Sequence, residues 1–320
     1  MEKDFKQLNI LAVLTDSIGG RLTSSSIIDG FRALGHNVVV YDNLADNDMK
    51  IVKDNYDFIF GYDFTGIEFA CKNKIKSLIV NYFSDVIEDE HSGKNWEKFY
   101  PCLFNDNSFT FYWDKTLCSQ KKEEIKNLFY LPHFVNTDIY KNTNAKIEYD
   151  VMFAGRLDTD FRLHTFLHAI KSFPDLNFGW FAIEHHLKDA LSRVAPEDKI
   201  YINNAYQGFI DNEQSMADAI NASKIVINFN QQGVSSLNYR TIQSMACERL
   251  VLNDYRNEGV ELFGDNFVYY SGVSDLIEKI RLYTENRQMY YLKTKNLRKY
   301  IESDFSHISG AQKIIGKICG

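Results

Sequence analysis

The sequence predicts an α/β protein of two domains, each built around a parallel sheet. Apolar runs of strand length alternate with helix-like stretches along most of the 320 residues, which is the pattern of parallel sheets covered by helices. An extended segment at 128–140, which contains Pro132, interrupts the alternation, because proline disfavours helix around it. A new strand then starts at Tyr149. The predicted parts are 1–135, 136–290 and a closing group of helices, 291–320.

Composition excludes several classes of protein. Hydrophobic residues make up 45% of the chain and charged residues 25%, both ordinary for a soluble globular protein. The net charge of −7 argues against a general nucleic-acid binder, although this argument does not extend to a modified DNA base as a substrate. No apolar run reaches the ~20 residues that a bilayer span needs, and the N-terminus lacks the apolar core of a signal peptide. We therefore expect a cytoplasmic protein.

The strands and helices follow from apolar periodicity and from helix-ending residues. A helix over 24–34 is predicted to end at Gly35, and a charged helix is predicted over 119–128. The predicted strands of the first part are 9–14, 37–42, 56–61, 76–82 and 109–113. Those of the second part are 149–156, 178–182, 224–229 and 250–254, and its later helices are 187–194, 237–248, 274–283, 288–303 and 309–319.

Two loops of the first part carry the candidate acceptor site. Gly19 and Gly20, followed by Arg21, would let the backbone approach a ligand closely, although a plain flexible turn explains the two glycines equally well. Their spacing is not that of a dinucleotide-binding fingerprint. The strand at 76–82 leads into an acidic loop in which Asp85 is the best candidate for a catalytic base or for a ligand of the acceptor hydroxyl. The competing interpretation of this loop is a solvated run of charges.

The first strand of the second part ends at a candidate anion site. Gly155 permits close approach, Arg156 can form two hydrogen bonds to phosphate oxygens, and Arg162 is a second cation nearby. Asp158 and Asp160 have the spacing of a pair that could hold a divalent metal. Since they lie between the two arginines, carboxylates that orient or neutralise guanidinium groups are the simpler interpretation, and we predict no metal site.

A second candidate anion site lies where the strand at 224–229 leads through a polar loop into the helix at 237–248. In a parallel sheet such a loop and helix N-terminus lie at the carboxyl edge, where ligands bind. Free backbone N–H groups and the helix dipole, with Ser235, Ser236 and Arg240, suit a phosphate, and we predict a diphosphate. Elsewhere in this part, Phe209 could contact a nucleobase, although an ordinary buried phenylalanine is an equally open interpretation.

Four motifs together resemble a GT-B glycosyltransferase of the glycosyltransferase-1/4 class, similar to the group around the spore-maturation protein CgeB. They are Leu-Pro-His-Phe-Val-Asn at 131–136, Phe-Ala-Gly-Arg-Leu at 153–157, the helix and strand at 236–254, and Gly-Val-Glu-Leu-Phe at 259–263. The resemblance implies two Rossmann-like domains that face each other across a cleft, with C-terminal helices crossing back to the first domain. It also implies a nucleoside-diphosphate sugar, UDP- or GDP-linked, in the second domain and an acceptor in the first.

The resemblance also assigns roles to residues. Arg156 would steady the diphosphate together with Ser235, Ser236, Asn238 and Arg240, and arginines and helix N-termini would offset the leaving-group charge without a metal or another cofactor. In related transferases a carboxylate binds the donor ribose at the place of Gln243. A second acid of those relatives falls at Ser235, and a usual glycine is Glu248. An amide can still bond to ribose hydroxyls, but the choice between retention and inversion stays open.

Transfer of a sugar to a hydroxyl of a glycan, protein, lipid or modified base is therefore the leading hypothesis. A nucleotide-sugar epimerase with the same fold is one alternative, although the sequence shows no clear acid and base pair for it. A catalytically silent partner that binds nucleotide sugar is another, which the amide at Gln243 favours. Hydrolysis of the donor separates the three. The residue pattern predicts neither the acceptor nor the oligomeric state.

Overall fold

The computed structural model describes residues 6–42, 55–84, 107–123, 125–230 and 235–320. The chain divides into two compact units. The first consists of Met1–Asn136, Val234–Ser236 and Asp304–Gly320, and the second of Thr137–Gly233 and Leu237–Ser303. The predicted closing segment 291–320 is thus split, because its residues up to Ser303 belong to the second unit. No helix among the described residues has the length and apolar character to cross a membrane.

The first unit contains a six-stranded parallel sheet. Its strands are β1 (Asn9–Leu14), β2 (Asn37–Asp42), β3 (Phe58–Tyr62), β4 (Leu78–Phe83), β5 (Ser108–Tyr112) and β6 (Leu128–Tyr130). Its helices are α1 (Ile18–Ala33), α2 (Thr65–Asn73), α3 (Lys115–Lys121) and, at the end of the chain, α13 (His307–Ile318). The strand order is β2-β1-β3-β4-β5-β6, and every pairing is parallel.

Two helices of this unit begin earlier than the sequence predicted. The side chain of Ser17 accepts a hydrogen bond from the backbone N–H of Gly20 and so caps a helix that starts at Ile18 rather than at 24. Asp114 caps α3 in the same way, which places that helix at Lys115–Lys121 rather than at 119–128. Both differences come from N-cap side chains, which satisfy the free N–H groups of a first helical turn.

The core of the first unit is rich in aromatic side chains and includes the C-terminal helix. Phe31 of α1 meets Phe58 and Phe60 of β3 edge to face, with ring centroids 5.7 and 5.5 Å apart. Helix α13 packs directly on α1, since a Cβ atom placed on Gly30 would lie 2.2 Å from the backbone oxygen of His307. This contact has no space for a larger side chain, so it fixes how closely the two helices approach.

The Gly30→Ala substitution is therefore expected to destabilise the protein by about 1–3 kcal/mol, because the added methyl group must push α13 away from α1. Gly316→Ala is the matched control. It also lies inside a helix, but its Cβ atom would have nothing within 4 Å, so the higher helix propensity of alanine should stabilise the protein by roughly 0.5–1 kcal/mol. Urea denaturation of both variants measures this, and equal effects would contradict the packing described.

The second unit contains a five-stranded parallel sheet of order β11-β10-β9-β7-β8. Its strands are β7 (Tyr149–Ala154), β8 (Phe178–Phe181), β9 (Ser223–Asn228), β10 (Leu250–Asp254) and β11 (Tyr269–Tyr270). Its helices are α4 (Asp160–Ser172), α5 (Glu184–Arg193), α6 (Lys199–Ala205), α7 (Glu213–Asn221), α8 (Tyr239–Ala246), α9 (Asn257–Phe263), α10 (Val273–Glu285), α11 (Arg287–Thr294) and α12 (Leu297–Asp304).

The strand order of the second sheet creates a site for a ligand. The chain passes from β7 to β8 on one side and then returns to pair β9 with the other side of β7. In open parallel sheets such a reversal leaves a crevice at the carboxyl ends of the two strands, and ligands bind there. The crevice is bordered by the residues after Ala154 and after Asn228. Both units are thus Rossmann-like α/β domains, as the sequence predicted.

Candidate functional site

A buried polar network joins the carboxyl ends of β9 and β10. The side-chain amide of Asn228 donates to the Oδ1 atoms of Asn230 and Asn253 and to the hydroxyl of Thr241, at 2.8–3.2 Å. Asn230 in turn donates to Asp254 through both its backbone and its side-chain nitrogen, at 2.7 and 2.8 Å. Because buried amides and carboxylates with this many partners hold one conformation, the network fixes Asn230, two residues after the end of β9.

The N-terminus of α8 is held by the residues just after β9. Asn238 is the N-cap residue and accepts a hydrogen bond from the backbone N–H of Arg240 at 3.2 Å. The backbone N–H of Asn238 donates to Asn230, and its side chain donates to the carbonyl of Phe229. Asn238 therefore positions the helix start through its own amide, which is a structural role in addition to the predicted contact with phosphate.

Two arginines lie beside these residues and share one carboxylate. Asp158 is 3.1 Å from Arg162 and 3.4 Å from Arg156. Arg162 also donates to the carbonyls of Phe229 and Asn230, so it is locked against the end of β9. The side chain of Arg156 is 64% exposed. An exposed guanidinium with one long contact can turn towards an anion, whereas Arg162 is already engaged.

Gly155 is required by its backbone and its surroundings. Its φ is +154°, and a Cβ atom would lie 3.0 Å from the ring of Phe153. The indole of Trp180 donates to its carbonyl at 2.9 Å. The turn that presents Arg156 is therefore rigid. Beyond this turn, burial lowers the pKa of His186, and the nearby charge of Arg156 adds to this effect.

Arg240 is the charged group with the least compensation in this region. Its Nη1 donates to Oε1 of Gln243 at 2.5 Å, while its buried Nε has no hydrogen-bond partner. No carboxylate of the described residues lies within 4.0 Å of this guanidinium. Burial lowers the pKa of Arg240, which reports the cost of removing its charge from water. A half-buried cation without a counter-charge is a natural binding site for an anion.

Gln243 lies inside the protein rather than at a free surface. It is 1% exposed, and its Nε2 donates to the hydroxyl of the fully buried Tyr140 at 2.6 Å. Burial raises the pKa of Tyr140. Both ends of the amide are therefore engaged, one with Arg240 and one with Tyr140. The predicted contact of Gln243 with a ribose would require this arrangement to open.

Ser235 and Ser236 have a partner that the sequence did not reveal. Both of their backbone N–H groups donate to Oδ2 of Asp114, at 2.8 and 3.0 Å, and the Ser235 hydroxyl reaches the same carboxylate. The Ser236 hydroxyl accepts from the N–H of Lys115. The sequence predicted free donors for a phosphate here. The structure corrects this, because a buried carboxylate already occupies the place that a phosphate would take.

The predicted acceptor residues also have structural partners. Gly19, Gly20 and Arg21 lie in the first turn of α1 rather than in a loop. A Cβ atom on Gly20 would lie 2.5 Å from Thr15 and 2.7 Å from Tyr62, so packing explains this glycine. Arg21 forms two hydrogen bonds with the carboxylate of Asp42, at 2.8 and 2.5 Å, and this ion pair raises the pKa of Arg21. Its charge is therefore already compensated.

The remaining predicted residues have different outcomes. Asp85 lies outside the described residues. Phe209 is 46% exposed and follows a short extension of the sheet, in which Gln207 donates to Trp180 and Gly208 accepts from Ala182. It is not a buried core residue, and it lies at the carboxyl edge beyond β8. A planar ligand could stack there.

The aspartate pair does not converge on one point. Asp158 pairs with Arg156 and Arg162, whereas Asp160 pairs with Arg193 at 2.7 Å. Within the described ranges, no group of three or more histidine, cysteine, aspartate or glutamate side chains could hold a metal ion.

A pocket of about 420 Å³ adjoins the polar network. This volume lies within the size range of ligand sites. It is lined by Phe161, Asp254, Tyr255, Arg256, Tyr270, Ser271 and Gly272. Sequence reasoning did not single out Asn228, Asn230 or Asp254 as site residues. The sequence did contain a signal for them. Each is a polar residue at or just after the end of an apolar strand, and residues at that place lie at the carboxyl edge of a parallel sheet.

Comparisons with known proteins bear on the fold and on the type of protein. Residues 162–314 match the family model described as "Glycosyl transferase-like". The fold is similar to that of sucrose-phosphate synthase from Thermosynechococcus elongatus, with a TM-score of 0.73, 11% identity and 98% of both chains covered. The matched segment, residues 162–314, is thus similar to glycosyltransferases. A search of curated proteins finds no match.

Two further solved structures have the same GT-B fold and contain nucleotide ligands. HepE of Anabaena, in complex with UDP and glucose, gives a TM-score of 0.70 at 14% identity and covers 98% of this chain and 100% of its own. The T4 phage β-glucosyltransferase, in complex with UDP-glucose, gives a TM-score of 0.61 at 14% identity, with 98% of both chains covered. The fold prediction is confirmed at the level of GT-B, and the finer resemblance to the CgeB group stays a prediction.

Proposed function

We propose that this glycosyltransferase moves a sugar from a UDP-sugar to a hydroxyl group of an acceptor. Two proteins of the same fold bind UDP or UDP-glucose, which favours uridine over guanosine as the donor nucleotide. The donor diphosphate would bind at the carboxyl edge of the second sheet, where the strand order creates a crevice.

Arg240 is the observation that carries the proposal. It lies in the first turn of α8, at the carboxyl edge. The residue is half-buried, its buried Nε has no hydrogen-bond partner, and no carboxylate of the described residues pairs with it. A diphosphate would supply the missing negative charge, and the exposed Arg156 could close on it from the adjacent turn. As the bond to the sugar breaks, charge develops on the diphosphate, so cations that are fixed in advance stabilise the transition state.

We also propose that transfer needs no divalent metal, because arginines would offset the charge of the leaving group. The T4 phage enzyme has been solved with UDP and Mn²⁺, so the metal requirement of this chain is tested directly. Donor hydrolysis by the chain should persist in excess EDTA. Activity that disappears with EDTA and returns with Mn²⁺ would contradict this part of the proposal.

A thermal-shift panel of UDP, GDP, CDP and dTDP tests the donor directly. A ligand at 100 times its dissociation constant adds about 2.7 kcal/mol of stability, and we expect UDP to give the largest shift. Release of UDP from UDP-glucose and related donors is then measured without an acceptor, since transferases slowly hydrolyse their donors. A chain that binds none of the four nucleotides would contradict the proposed function.

A catalytically silent nucleotide-sugar binder is the second candidate. Gln243, which takes the place of a carboxylate in related transferases, is engaged with Arg240 and Tyr140. A silent binder would show the UDP shift without UDP release from any donor, whereas a transferase shows both. The two measurements above therefore separate these candidates.

A further inference from the structure

We propose that Gln243 is a positioning residue that orients Arg240 while leaving its charge uncompensated, so that the bound anion becomes the counter-charge. The inference rests on the proposed function, because it assigns a role within the same anion site. It concerns a neutral side chain, and it explains why an amide occupies a place where a carboxylate would form an ion pair.

The geometry fixes the direction of the Gln243 amide. Arginine has donors and no acceptor, so the atom 2.5 Å from its Nη1 must be the amide oxygen. The amide nitrogen then points to the Tyr140 hydroxyl, at 2.6 Å. Tyr140 and Gln243 are both buried, and Arg240 lies three residues before Gln243 on the same face of α8. The three side chains therefore form one relay with a single orientation.

Other arginines of the second unit show how a carboxylate at position 243 would affect Arg240. Arg162 pairs with Asp158, Arg193 with Asp160, and Arg256 with Asp254 at 2.6 Å. Each of these charges is compensated inside the protein. Arg240 has an amide in place of the carboxylate, so it is held by a hydrogen bond and keeps its full charge for a ligand. Its pKa is lowered by burial, in line with a charge that lacks compensation.

The Gln243→Glu substitution tests this role because it changes the charge of the side chain and preserves its shape. Glutamate can still accept from Arg240, and the Tyr140 hydroxyl can reverse and donate to it. The new carboxylate would neutralise Arg240 in the ligand-free protein. We expect the variant to bind UDP and inorganic pyrophosphate at least 10-fold more weakly. We also expect its melting temperature without ligand to be unchanged or to rise by on the order of 2–4 °C.

A double-mutant cycle separates positioning from general damage to the site. In an Arg240→Met background, Gln243→Glu should cause no further loss of affinity, because the charge that it neutralises is already absent. Gln288→Glu on the exposed face of α11 adds the same charge away from the site and should leave both affinities unchanged. Isothermal titration with UDP and with pyrophosphate measures all four variants.

Several results would overturn the inference. They are an unchanged affinity of the Gln243→Glu variant, a loss of equal size in the Arg240→Met background, or a lowered melting temperature that points to disrupted packing. A different result would contradict the proposed function but not the inference. In that case pyrophosphate would still bind in a manner that depends on Gln243 and Arg240, while no nucleotide or nucleotide sugar would compete with it.

Discussion

The Arg240→Met variant is expected to bind UDP about 10- to 100-fold more weakly than the unaltered chain. A hydrogen bond to a charged group contributes roughly 1.5–3 kcal/mol, and each 1.4 kcal/mol corresponds to about a tenfold change in affinity. Methionine keeps much of the apolar stem, so packing around α8 should be retained. The substitution removes a half-buried charge that has no carboxylate partner among the described residues, and it also removes the hydrogen bond to Gln243. Because these two effects oppose each other, the stability of the free protein should change little.

Arg281→Met is the matched control for this prediction. Arg281 lies on α10 of the same unit, is exposed, and has its guanidinium 5.7 Å from the ring centroid of Phe173. Its removal changes the net charge by the same amount without touching the crevice. Isothermal titration with UDP should detect a loss only for the Arg240 variant. Equal affinities in both variants would remove Arg240 from the donor site.

The Asp114→Ala variant is expected to be destabilised by about 3–5 kcal/mol. The carboxylate is fully buried and accepts from the N–H groups of Leu117, Ser235 and Ser236. Its removal leaves buried donors without partners and deletes the N-cap of α3, and these losses combine. Urea denaturation followed by circular dichroism measures the change in the free energy of unfolding.

Ser235→Ala is the comparison for Asp114→Ala. It deletes the hydroxyl that contacts the carboxylate at 3.1 and 3.2 Å but retains both backbone donors. Its cost should stay near about 1 kcal/mol, the net value of one hydrogen bond. If the two variants were destabilised equally, the backbone donors would not depend on Asp114, and the structural role assigned to Ser235 and Ser236 would be wrong.

The sheets could be predicted from the sequence because their strands are short, apolar and regularly spaced. Runs such as Ile225–Ile227 leave few alternatives to a buried strand. The first residues of the helices were harder to predict, because they depend on single N-cap side chains. Ser17 and Asp114 each move a start by several residues, and the pair Gly19 and Gly20 resembles a loop although Gly20 is a packing residue of α1.

The site could be predicted only in part, because its decisive contacts join residues that are far apart in the sequence. The loop after β9 and the arginines after β7 could be assigned to the carboxyl edge, since parallel topology places strand ends together. The contact of Ser235 with Asp114 spans 121 residues, and that of Gln243 with Tyr140 spans 103. Residue type alone does not indicate such partners, so neither the occupied serines nor the uncompensated Arg240 could be foreseen.

A crystal structure of the chain with UDP would show whether Arg240 binds the donor diphosphate. We expect diphosphate oxygens at hydrogen-bond distance, about 2.7–3.2 Å, from the Arg240 guanidinium, with the nucleotide at the carboxyl ends of β7 and β9. The side chain of Gln243 should still accept a hydrogen bond from Nη1 in that complex. A diphosphate bound elsewhere, with Arg240 contacting only Gln243, would show that Arg240 is not the cation of the donor site.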